Sequence, residues 1–171
     1  SPLLWYPRGY GEQPVYTLVC RGADKTIEKK VGFRRVKLQR NADDVWWERE
    51  FPKPRLPAPA TFEVNGKKVF AKGSNWVPLD AFHCRDAERY DIAMELVKDI
   101  GCNILRCWGG NVYEDHKFFD FCDRNGIMVW QDFAYACADV PDNNFDFINR
   151  AIAEAEQQVW RLRNHPSLLL Y

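Results

Sequence analysis

Residues 15–20 combine β-branched, aromatic and aliphatic side chains, which predicts a strand, with Arg21-Gly22-Ala23-Asp24 as a turn and a second extended stretch over 27–38. Two or three strands cannot bury a core by themselves, so residues 1–50 read as the tail of a larger β domain. Between Phe51 and Ala60 the prolines at Pro52, Pro54, Pro57 and Pro59 remove ladder donors and favour extended geometry, which predicts a linker over 51–60. Phe62-Glu63-Val64-Asn65-Gly66-Lys67-Lys68-Val69-Phe70 carries Asn-Gly between two apolar-alternating arms, the signature of a two-residue hairpin turn with both φ angles positive.

From there the period changes. Strands are predicted at 69–74, 102–108, 127–132 and from 168 onward, with helices over 86–100, 114–124 and 145–163 between them. The first helix places Tyr90, Ala93, Met94, Val97 and Ile100 on one face and stops at Gly101. The third presents Ile148, Ile152, Ala155, Val159 and Leu162 and ends before Pro166. Strand starts about 25 to 40 residues apart fit βα units with right-handed crossovers and a parallel sheet. An open doubly wound sheet competes, but Gly109-Gly110 is not the glycine-rich phosphate turn that fold requires. The fold expected is therefore α/β, a partial (β/α)8 barrel of about three and a half units over 61–171.

Composition narrows the chemistry. Lys and Arg number 24 against 24 Asp and Glu, with no basic block, which argues against a nucleic-acid partner. No apolar run reaches the roughly 20 residues of a membrane span. The six cysteines, Cys20, Cys84, Cys102, Cys107, Cys122 and Cys137, form no CxxC pair and read as mostly buried thiols. The three histidines, His83, His116 and His165, lie far apart in sequence, so no metal site and no cofactor is expected. Seven tryptophans contribute to an aromatic content of 15%; most suit a core, yet a flat ring at a strand end also stacks on a sugar.

In a parallel sheet the carboxyl ends of the strands share one mouth, which brings together Asn75-Trp76, Arg106-Cys107-Trp108-Gly109-Gly110 and Asp132-Phe133. Arg106 in an apolar strand needs a carboxylate or a ligand oxygen for its planar fork, and Asp132 is a partner; a structural ion pair and a ligand contact read equally well. Trp108, followed by two glycines, reads as an exposed indole for sugar stacking. Asn75 and Trp76 are further rim candidates, whereas Asp80, Tyr113 and Glu114 suit helix entry or loop roles. Asp132 is the one strand-end carboxylate, while glycoside hydrolysis needs two carboxyl groups about the scissile bond, so no catalytic residue is assigned.

Phe62-Glu63-Val64-Asn65-Gly66-Lys67, Lys72-Gly73-Ser74-Asn75-Trp76-Val77-Pro78, Asn103-Ile104-Leu105-Arg106-Cys107-Trp108-Gly109-Gly110, Val129-Trp130-Gln131-Asp132-Phe133 and Arg163-Asn164-His165-Pro166-Ser167 occur in the order in which they resemble glycoside hydrolase family 2. Arg-x-Trp-Gly-Gly and Trp-Gln-Asp-Phe point to its β-mannosidase branch, and residues 4–14 are similar to the segment crossing that family's immunoglobulin-like domain. The resemblance implies that 1–50 are the last strands of an immunoglobulin-like sandwich and 61–171 the first half of a barrel. It implies a retaining exo-β-mannosidase acting on β-mannoside glycans, with Trp108 on the wall of the sugar subsite, Arg106 and Asp132 supporting the catalytic face and both reactive glutamates beyond Tyr171; Asn75 and Trp76 join them as substrate-binding candidates from their strand-end positions. The chain alone is then expected to be inactive, and its half barrel to self-associate through open strand edges. A non-catalytic carbohydrate-binding or assembly module is the rival reading.

Overall fold

The computed structural model of the chain describes residues 1–40 and 60–171. The expected linker over 51–60 lies outside the described residues except for Ala60, which opens a strand.

The hairpin of β1 (Tyr16–Arg21) and β2 (Thr26–Val31) is antiparallel, with Tyr16 opposite Val31 and Arg21 opposite Thr26. The single extended stretch expected over 27–38 divides, because β3 (Val36–Arg40) leaves that hairpin for a different sheet. The cause is what residues 32–34 pass against. A Cβ on Gly32 would stand 2.6 Å from the Pro166 ring, Phe33 O accepts from Trp5 N at 2.8 Å, and Arg34 donates to Pro166 O at 2.6 Å and to Leu168 O.

β3 pairs with β4 (Ala60–Val64), and β4 with β5 (Lys67–Val69), all antiparallel. Asn65 and Gly66 make the turn with φ of 51° and 83°, as the Asn-Gly pair predicts. Asn65 is also a junction: it exchanges two 2.8 Å bonds with the Arg35 backbone and donates to Trp5 O at 2.9 Å.

The third sheet is fully parallel, with β6 (Gly73–Trp76), β7 (Ile104–Cys107), β8 (Met128–Gln131) and β9 (Leu168–Leu170) in sequence order. Its first strand starts at Gly73 rather than 69, since Val69 belongs to the hairpin. The buried Asn103 side chain holds the crossing by accepting from Lys72 N at 2.7 Å and donating to Phe70 O at 2.9 Å.

Between the strands run α1 (Asp86–Asp99), α2 (His116–Asn125) and α3 (Phe145–Leu162). Gly101 and Gly126 take the left-handed conformation that ends α1 and α2, and Asn144 caps α3 by accepting from Asp146 N and Phe147 N. Tyr90, Met94 and Val97 are buried as expected, but Ile100 turns outward with the chain at the end of α1, and in α3 only Leu162 is buried.

Strand alternation divides the parallel sheet between two cores. Leu105, Cys107, Val129 and Leu168 join Met94, Phe118, Phe119, Cys122 and Leu162 on the helix side. Ile104, Met128 and Leu169 face Trp5, Val64 and Val69 on the other. Three of the cysteines, Cys102, Cys107 and Cys122, are buried; Cys20, Cys84 and Cys137 are exposed, so the expectation of mostly buried thiols holds for half of them. Among the described residues no helix is long and apolar enough to cross a membrane.

Candidate functional site

The parallel register carries one row of side chains across three strands: Asn75 lies opposite Arg106, and Arg106 opposite Trp130. The alternation that sends Leu105 and Cys107 to the helices puts Arg106 on the opposite face, two residues after Ile104, and Trp130 two residues after Met128. Asp132 continues that series past the end of β8. Arg106 grips it with both prongs, Nε to Oδ1 at 3.2 Å and Nη2 to Oδ2 at 2.6 Å, and reaches Asn75 Oδ1 from Nη1 at 3.4 Å. The guanidinium also lies 5.4 Å from the centre of the Trp130 ring.

A guanidinium carries five N–H donors. Three serve these contacts, which leaves two beside the adjoining cleft of about 490 Å³, lined by Phe62, Gly73, Asn75, Ile104, Arg106 and Trp130. Asp132 Oδ2 accepts a further bond from Gly109 N at 3.2 Å, tying the loop after β7 to the end of β8.

That loop holds Trp108 at partial burial. Both glycines after it answer a steric demand: a Cβ on Gly109 would stand 2.5 Å from Phe133 O, and one on Gly110 would stand 2.2 Å from Cη2 of Trp108. The indole is folded over Gly110 and half-buried, not standing exposed as the sequence suggested. Beside it, Phe133 stacks on Tyr171 with centroids 5.5 Å apart.

Trp76 occupies a different position from the other four candidates. It is 5% exposed, packs edge-on to Tyr90 and against Phe118, and donates from Nε1 to Glu114 Oε1 at 2.8 Å. Its ring belongs to the helix side of the sheet, not to the row with Asn75, because adjacent strand residues face opposite ways. Asp80 stays at helix entry, where it binds Arg89 at 3.0 Å. The Tyr113 hydroxyl donates to Glu154 at 2.8 Å and accepts from Ala134 N at 3.0 Å; burial pushes its pKa up to about 12.

Sequence reasoning missed Trp130, although the period of two from Met128 through Trp130 to Asp132 was there to read. It also missed that two distant histidines meet. His165 Nδ1 bonds Asp123 Oδ2 at 2.7 Å, and its Nε2 bonds His116 Nδ1 at 2.8 Å. Asp120, Asp123 and His165 offer ligand atoms within 4.8 Å of one another, yet Asp123 already uses its other oxygen to accept from Ser167 N at 2.9 Å.

No family model matches the chain. Over its whole length it is 37% identical to Beta-mannosidase B of Thermothelomyces thermophilus, and over 98% of it 36% identical to the Beta-mannosidase of Capra hircus. The crystal structure of Beta-D-Mannosidase from Dictyoglomus thermophilum superposes over 96% of the chain and 20% of that structure, with a TM-score of 0.78 and 41% identity. These similarities support a β-mannosidase-like fragment of glycoside hydrolase family 2. Within that family its likeness is to the β-mannosidases. It spans 20% and 18% of the length of those two curated relatives.

Proposed function

We propose that this chain is part of a retaining exo-β-mannosidase and forms one wall of its sugar subsite. The observation that carries the reading is the row Asn75, Arg106, Trp130 with Asp132 at the carboxyl ends of parallel strands, in a chain so similar to β-mannosidases. In this reading the parallel sheet is the first part of a (β/α)8 barrel over 61–171, residues 1–50 complete an immunoglobulin-like sandwich, and 51–60 link them. Barrel enzymes gather substrate at the carboxyl ends of their strands. Trp108 and Trp130 supply apolar faces for the pyranose, Arg106 and Asn75 meet its hydroxyls, and Asp132 orients Arg106. Trp76 acts from behind the rim by fixing the end of β6.

Hydrolysis with retention requires an acid/base carboxyl and a nucleophilic carboxylate about 5 to 5.5 Å apart. Both are proposed to lie outside this sequence, and no metal or organic cofactor enters the reaction. The whole protein carrying this chain should release p-nitrophenol from p-nitrophenyl β-mannoside with the β-anomer as first product by proton NMR. The 171-residue chain alone should release none and should self-associate by light scattering through the outer strands β6 and β9. An inactive whole protein that still binds mannosides would replace this reading with the carbohydrate-binding module.

A further inference from the structure

Glu114 is 8% exposed and stands two residues before α2. Its Oε1 accepts from Trp76 Nε1 at 2.8 Å and from Asn111 Nδ2 at 3.4 Å. Both donors belong to segments leaving the parallel sheet. Trp76 is the last residue of β6, while Asn111 closes the loop after β7, its N–H donating to Trp108 O at 2.9 Å. Trp108 N returns to Trp76 O at 3.2 Å. Trp76, Glu114, Asn111 and Trp108 thus form a closed circuit, and the Glu114 carbonyl anchors it to α3 by accepting from Arg161 Nη2 at 2.9 Å.

A carboxyl is a costly way to fill buried space. Desolvation raises the pKa of Glu114, and the bonds from Trp76 and Asn111 oppose that shift. Methionine would fill a similar volume without the penalty, but it would leave the buried Trp76 indole N–H without a strong acceptor and the loop without its pin. The residue type is explained by what it joins.

We infer that Glu114 is a positioning residue for Trp108: it clamps the loop after β7 to the end of β6, so that the indole keeps its place over Gly110. The inference rests on the proposed reading only in assigning Trp108 to the sugar. Its geometry stands apart from that assignment, and the test has a readout for each.

The whole protein is labelled with 5-fluorotryptophan, and the fluorine resonances of Trp108 and Trp5 are assigned from Trp108→Phe and Trp5→Phe. Glu114→Met should shift or broaden the Trp108 resonance and leave that of Trp5, in the other core, in place. Glu114→Gln, whose amide oxygen accepts from the same indole N–H, should restore it. On p-nitrophenyl β-mannoside, Glu114→Met should lower kcat/KM by about tenfold to a hundredfold, mainly through KM, with Gln within about threefold of wild type. An unchanged Trp108 resonance in the methionine variant would overturn the inference, as would a glutamine variant as perturbed as methionine. Should methionine prevent folding, Glu114→Gln and Asn111→Ala give the same contrast, since Asn111→Ala removes the loop side of the clamp alone. A wild-type protein without activity would remove the mannosidase reading, while the fluorine spectra would still decide the positioning.

Discussion

Replacing Trp5 by alanine tests whether the amino-terminal segment and the parallel sheet fold as one unit. Trp5 is fully buried in the core that Val64, Val69 and Met128 share, and its Nε1 donates to Asp123 O on α2 at 2.7 Å. Burying about 200 Å² of indole at about 25 cal/mol per Å² is worth about 5 kcal/mol as an upper estimate. The orphaned Asp123 carbonyl adds about 1 to 3 kcal/mol, and collapse around the void returns part of the loss. We expect a net loss of about 4 kcal/mol. With a urea m-value of about 2 kcal/mol/M, the midpoint of the chain should fall by about 2 M, followed by circular dichroism. Trp5→Phe keeps most of the apolar area and loses the hydrogen bond, so its shift should be less than half as large. A midpoint within about 0.5 M of wild type for the alanine variant, at equal m, would refute the reasoning, because Trp5 would then be packed against something the folded state does not need.

Gly110→Ala places a Cβ 2.2 Å from the Trp108 ring; kcat/KM of the whole protein on an aryl β-mannoside should fall by about tenfold or more, with the melting temperature little changed, and unaltered kinetics would detach Trp108 from the substrate. Among the described residues the buried Tyr90 hydroxyl has no hydrogen-bond partner, and burial raises its pKa; Tyr90→Phe should therefore be neutral or stabilising by up to about 1 kcal/mol in urea titrations, and a clear loss would contradict the lack of a partner. His116 has its pKa lowered from 6.5, by desolvation first and then by His165, Arg161 and Lys29, against the pull of Asp120. Folding thus favours its neutral form, a contribution complete above about pH 6.5 and lost as pH falls through that value, when the unfolded chain protonates first. His116→Gln should narrow the drop in melting temperature between about pH 7.5 and about pH 5.5, and an identical drop would remove His116 as its source.

The elements legible in the sequence were those encoded by neighbouring residues. Asn65-Gly66 specified its turn by φ alone, Gly101 and Gly126 marked helix ends, and Pro166 separated α3 from β9. The Arg106–Asp132 pair was legible too, because a cation in an apolar strand needs an anion and parallel strands align their ends. What escaped depended on residues distant in the chain. Nothing near residue 33 announces that Pro166 and Leu168 will capture Gly32 and Arg34, so the split between β2 and β3 was invisible. His116 and His165 are 49 residues apart and meet only because α2 packs beside the turn into β9. The apolar stripe of α3 illustrates a different limit. Periodicity identifies the face that would be buried, not the element that covers it, and Ile152 is 52% exposed.

The same alternation that builds the helix-side core also aims the candidate site, and this couples the two more tightly than the ion pair does. The Arg106 and Asp132 side chains are 38% and 18% exposed, and a partly exposed pair is worth at most about 1 kcal/mol after solvent screening. The pair therefore explains little of the stability. A one-residue slip of β7 between β6 and β8 would cost far more, since it would turn the guanidinium toward Phe118 and Cys122 and bring Leu105 and Cys107 out to the row with Asn75 and Trp130. Leu105 and Cys107 are 1% and 0% exposed, so the register that buries them is the register that presents Arg106. The rim geometry is consequently supplied by apolar residues that never reach it, and in the proposed function Arg106 answers to recognition, its planar fork gripping Asp132 with both prongs and keeping donors to spare.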